Sequence, residues 1–181
     1  MKKLSLALLV LLFQITSNTE AADISGYTLP DTISRFNKSY SLSGCGLREM
    51  LFSDIYLLGL YLETPTADPA TIHNSGRIFL LKVLYKGDLP EDLPALWSEP
   101  LARQLSSEYL DILQDIYDKV DNGDSVEISF EPGEREIVRI NDTIEIRETE
   151  IALMPALTNL WLGEEPVSGN LKRLLLKGEC N

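Results

Sequence analysis

Arg48 is the side chain in this sequence whose type and setting most suggest chemistry. It closes the run Gly44-Cys45-Gly46-Leu47-Arg48 and stands just ahead of residues 54–62, the most apolar strand-like stretch of the chain. Glycines at alternate positions let a ligand or a neighbouring backbone approach closely. A guanidinium beside them is always charged and offers a planar two-donor fork to a carboxylate or a carbonyl. Glu49 follows directly, so on a strand it points to the opposite face and is a poor partner. Arg48 is therefore expected to line a cleft and to bind an anion or a carbonyl. The competing reading is a surface arginine paired with one of many acidic residues, a contact worth about 0–1 kcal/mol.

The other reactive residue types are sparse. Cys45 and Cys180 are the only cysteines and allow a single intramolecular pairing. Either they bridge, tying the tail to the Gly44–Gly46 segment with a gain of about 4–5 kcal/mol in the chain-entropy account, or Cys45 is a buried thiol and Cys180 sits on a frayed tail. The only histidine, His73, falls in the turn-like Ile72-His73-Asn74-Ser75-Gly76 with no second ligand at metal spacing. No metal and no cofactor are expected, and no serine or cysteine has a convincing base to activate it. The acidic runs 111–118 and 145–150 read as solvated faces, and Trp97 and Trp161 as packing anchors.

Elements must hold these residues in place, and the hydrophobic period indicates which. Residues 54–62 and 77–84 are nearly continuous apolar runs, as in central strands covered on both faces. Tyr56 and Tyr61, five apart, then face opposite sides, with Tyr61 a core residue. Between 92 and 120, Leu101, Leu105, Tyr109, Ile112, Ile116 and Val120 recur in steps of three and four, which predicts one long helix ended at Asn122-Gly123-Asp124. From Ser125 the period falls to two, with Val126, Ile128 and Phe130 inward and Ser125, Glu127 and Ser129 outward. Turns at Pro132-Gly133 and Asn141-Asp142 separate further strands at 137–140 and 143–146. A helix from about Glu148 carries Ile151, Met154, Leu157, Leu160 and Trp161. A last one at 170–177 has Ser168 as its cap and Gly178 as its stop. The class is α+β: a large curved antiparallel sheet covered on one face by a layer of helices.

The N-terminus carries an address. Met1-Lys2-Lys3 is basic, residues 4–15 are almost wholly apolar, and a polar stretch leads to Ala21, which is the pattern of a cleavable export signal. The apolar run is shorter than the roughly 20 residues a spanning helix needs. Residues 1–21 are therefore expected to be removed and residues 22–181 to form one domain in the periplasm. Taking Lys2, Lys3 and Glu20 from 16 basic and 28 acidic residues leaves 14 and 27, a formal charge of −13. Such a surface repels a phosphate backbone, so nucleic acid and anionic membranes are poor partners. No stable membrane insertion is expected.

The ordered set Gly44-Cys45-Gly46-Leu47-Arg48, Ile55-Tyr56-Leu57-Leu58-Gly59-Leu60-Tyr61-Leu62, Gly123-Asp124, Pro132-Gly133, Trp161-Leu162-Gly163-Glu164-Glu165-Pro166-Val167 and Leu171-Lys172 resembles the chalcone isomerase-like family, most closely its exported bacterial branch. The resemblance runs from about Gly26 to Gly178. It implies an open-faced sandwich with a ligand cleft between sheet and helices. Plant enzymes of the family close a chalcone to a flavanone by intramolecular oxa-Michael addition, with a threonine on the central strand polarising the ketone. Tyr56 stands at that position here, and the helix with Tyr109 and Tyr117 shows no match to the family's Tyr and Asn pair.

Other members resembling this fold bind fatty acids, holding the carboxylate with an arginine and a tyrosine. On the second central strand this chain reads Leu81-Lys82-Val83-Leu84-Tyr85-Lys86, with no arginine, so Lys82, Tyr85 or Lys86 would substitute. The expected ligand set is Arg48, Tyr56 and Tyr85. The expected function is non-catalytic binding of a small apolar or amphipathic, fatty-acid-like molecule. The alternative is an intramolecular lyase or isomerase acting on a carbonyl compound.

Overall fold

A computed structural model describes residues 22–24, 26–148, 153–178 and 180. After a small hairpin, β1 (Ala22–Ile24) and β2 (Tyr27–Leu29), seven strands follow: β3 (Thr32–Arg35), β4 (Lys38–Met50), β5 (Ser53–Leu62), β6 (Arg77–Val83), β7 (Ser125–Phe130), β8 (Glu136–Ile140) and β9 (Thr143–Glu148). They form one sheet in sequence order, every neighbouring pair antiparallel. Two-residue turns join β3 to β4, β4 to β5 and β8 to β9. Their central residues all have positive φ, which matches the twist of the flanking strands.

The sheet curls strongly. Arg35 on β3 makes two 2.7 Å bonds to the Glu127 carboxylate on β7, four strands away, a separation of about 19 Å in a flat sheet. Lys38 and Tyr40 on β4 likewise donate to Glu131, each at 2.6 Å. The result is a half-barrel, closed at its concave side over Ile33, Tyr40, Tyr61 and Ile78. This corrects one expectation: Glu127 and Ser129 do face away from the helices, but both are buried. The curl brings Arg35 and Arg139 against Glu127, and their charges compensate its burial.

The helices cover the other face. They are α1 (Pro69–Asn74), α2 (Ala95–Ala102), α3 (Ser107–Tyr117), α4 (Leu153–Leu162) and α5 (Gly169–Lys177). The single long helix expected over 92–120 is in fact two, because Leu101 to Leu105 tighten the chain after Pro100 and Ser106 restarts it with extended backbone angles. His73 lies near the end of α1, a helix where the sequence predicts a turn. Strands β1 to β3 and most of β4 were also not foreseen. Ile151 lies outside the described residues. The last helix starts and stops as expected: the Ser168 hydroxyl accepts from Leu171 N–H at 3.2 Å, and Gly178 takes φ 71°.

Helix α4 is buried nearly all round, from Leu153 and Met154 to Trp161 and Leu162, as a helix apolar on every side must be. Helix α5 lies on β4, where a Cβ on Gly44 would stand 2.1 Å from Leu175 O and one on Gly46 2.9 Å from the Leu174 Cβ. The two glycines thus admit a helix, not a ligand. Beyond α5, Cys180 returns to Cys45 and forms a disulfide, with the Cα atoms 4.8 Å apart.

Candidate ligand cavity

Where the helices lift away from the sheet, they leave a cavity of about 310 Å³, at the small end of the range for small-molecule sites. Its floor is the helix-facing side of the strands, including Leu81, Val83, Val126, Ile128 and Val138. Its roof comes from the 89–94 segment, Trp97 of α2, Leu113 and Ile116 of α3, and Leu153 and Leu157 of α4. Alternation on the strands supplies the floor, since the helix-facing positions at this end of β6, β7 and β8 are aliphatic, with Arg77 and Glu136 on the same face outside the cavity. Among the described residues the wall contains no carboxylate, imidazole or thiol.

Polar atoms are few and concentrated in tyrosines. Tyr56 is 5% exposed and accepts a hydrogen bond from Trp161 Nε1 at 3.3 Å. The Trp97 ring stands edge-on to it at 5.8 Å, and Trp97 and Trp161 meet edge to face at 5.5 Å. Burial raises the Tyr56 phenol to about 12, opposed by its bond to Trp161, the charge of Arg48 and its bond to Trp97. At neutral pH it therefore keeps its proton, and with indole N–H groups bonded to its oxygen that proton is available to an acceptor in the cavity. Tyr85, half-buried just past β6, lies on the wall. So does Tyr117, whose Oη is buried with no hydrogen-bond partner among the described residues.

Arg48 sits directly across from Tyr56 in the β4–β5 register, so both side chains share the helix-facing side. Its Nη1 donates to Glu49 O at 2.5 Å, and it is half-buried. It stands beside the cavity without forming part of its wall, which at this edge is Met50 and Tyr56. The structure thus brings Arg48 and Tyr56 together and puts Tyr85 on the same cavity. Lys82 is excluded: strand alternation turns it to the opposite face, where Nζ donates to Gly123 O and reaches Ser125 Oγ at 3.4 Å. Lys86 is exposed beyond the strand. Sequence reasoning missed Tyr117 as a wall residue. Its spacing of four from Leu113 was the available signal.

A curled antiparallel sheet, helices on one side and an apolar cavity between them are also what comparison with known proteins returns. A model described as chalcone isomerase-like matches residues 21–177. The chain belongs to the chalcone isomerase-like family. Among solved structures it is similar to a fatty-acid binding protein of Arabidopsis thaliana, with a TM-score of 0.61 and 18% identity over 87% of this chain and 96% of that one. At that identity the likeness shows the fold of this family member. No curated protein matches it.

Proposed function

We propose that this chalcone isomerase-like protein binds an amphipathic, fatty-acid-like molecule without transforming it. The apolar tail occupies the cavity under α2, α3 and α4, and the acidic head lies between Arg48 and Tyr56, with Tyr85 as a further contact. One observation carries the reading: an almost wholly apolar cavity has a guanidinium and a protonated phenol side by side at one edge. A carboxylate is the group that such a pair of donors suits best. The described wall offers tyrosines that hold their protons at neutral pH but no carboxylate, imidazole or thiol, which favours holding a ligand over moving its protons. The similar plant protein is named for binding fatty acids, which agrees.

The protein does this, on our reading, after export through a cleaved leader of residues 1–21 into the periplasm. The tripartite N-terminus supports export, and the Cys45–Cys180 bridge suits an oxidising compartment. N-terminal sequencing of protein recovered from cells should begin near Ala22, and recovery of intact Met1 would defeat this part.

The ligand claim is tested by titrating palmitic acid and its primary alcohol against wild type, Arg48→Ala and Arg48→Lys. Removing a charge-assisted hydrogen bond worth about 1.5–3 kcal/mol should weaken the acid roughly 10- to 100-fold in Arg48→Ala. Arg48→Lys should recover only part of this, because a point charge lacks the planar fork. The alcohol should bind all three alike. Equal affinity of the acid for wild type and Arg48→Ala would remove Arg48 from the site.

A further inference from the structure

We propose that the β4–β5 hairpin tip, Met50-Leu51-Phe52, docks on a zwitterionic lipid surface and so places the cavity where its ligand is held. The inference rests on the ligand reading above. Leu51 is 87% exposed, Phe52 fully exposed and Met50 half exposed. Leu51 and Phe52 are the two central residues of the turn, with φ of 48° and 68°. A two-residue hairpin of this geometry favours Asn and Gly, because a bulky side chain is strained in the left-handed region.

The other two such turns in the sheet are Phe36-Asn37 and Asn141-Asp142. Each includes a residue suited to the conformation, and Phe36 packs its ring onto the core around Tyr61. The Leu51-Phe52 tip has neither excuse. It accepts backbone strain in order to hold apolar side chains in water, which neither folding nor solubility explains.

The tip adjoins the cavity. Met50 is both half exposed and part of the cavity wall, so the apolar surface runs from the tip inward. Size identifies the occupant: a specific protein partner buries about 800 Å² on each side, far more than the side chains of one tight turn offer. A lipid interface needs no complementary shape and takes up isolated Leu and Phe side chains readily. Charge selects the kind of lipid, since a chain of formal charge −13 without its leader is repelled by anionic headgroups. An acyl-chain ligand resides in membranes, so a tip that touches the bilayer beside the cavity shortens its path.

The decisive variant is Leu51→Asn/Phe52→Gly, which installs the preferred turn sequence and removes the two outermost apolar side chains while keeping Met50 and the cavity wall. Wild type and variant, with the same N-terminus, are mixed with phosphatidylcholine vesicles carrying an anthroyloxy-labelled stearate. Vesicle binding by flotation and the rate of probe transfer to protein are measured. Wild type should bind vesicles and take up the probe at a rate that rises with vesicle concentration. The variant should lose vesicle binding and transfer at least tenfold, yet bind the same probe from aqueous solution unchanged and melt at an equal or higher temperature. Vesicle binding and transfer as strong in the variant as in wild type would overturn the proposal. So would a wild type that binds no vesicles, which would give the tip to a protein partner. A wild type that floats with vesicles but binds no probe would instead overturn the ligand reading and leave the docking in place.

Discussion

Burial decides what the titratable side chains under the helices can do. Arg77 is fully buried on β6, donates to Thr158 Oγ1 at 2.8 Å and to the carbonyls of Ile72, His73 and Ser75, and stacks over the Phe130 ring. It thereby closes the end of α1 and anchors α4. Glu136 on β8 accepts from Met154 N–H at 3.1 Å, and burial raises its carboxyl from 4.5 to about 7, against bonds from Met154 and Leu153 and the charge of Arg77. The folded state thus holds a proton that the unfolded chain releases at lower pH. Its contribution to stability is complete below about 4.5 and is lost as pH rises through about 7. Thermal melts of wild type and Glu136→Gln across that range test this. Wild type should lose more stability than the variant as pH rises, and parallel profiles would contradict it.

At the scale of elements, legibility followed the source of each signal. Strands β5 to β9 and the last helix were readable because local patterns specify them: continuous apolar runs in β5 and β6, alternation from Ser125, Asn141-Asp142 at a turn, Ser168 and Gly178 at the ends of α5. The long helix misread over 92–120 has continuous period, but its break lies in backbone geometry after Pro100 and at Ser106, which an apolar stripe does not record. Residues 38–50 carry serines, glycines and charges, and become a 13-residue strand by pairing with β5 along most of their length. Gly44 and Gly46 were legible as a place of close approach. That the approaching backbone is α5, and not a ligand, depends on contacts some 130 residues apart in sequence.

For the whole molecule, the family and the sheet-and-helix layering could be reached from ordered motifs, whereas the curl and the cavity could not. The curl is fixed by pairs such as Arg35 with Glu127 and Tyr40 with Glu131, each more than 90 residues apart. The cavity's roof is shared by separate elements where one helix was expected, with Trp97 on α2 and Tyr117 on α3 over a common floor. Of the expected ligand residues, Tyr56 and Tyr85 reach that cavity and Arg48 stands beside Tyr56, because strand register sets their faces. The central claim is that this space holds an acyl chain. Titration of wild type and Val126→Trp with a fluorescent fatty acid tests it directly, since Val126 is a partly exposed wall residue of β7 whose enlargement fills the cavity while leaving Arg48 and Tyr56 in place. Wild type should bind one molecule per chain, and Val126→Trp should fold with a cooperative transition but bind at least tenfold more weakly. Equal affinity and stoichiometry in a folded Val126→Trp would contradict the account.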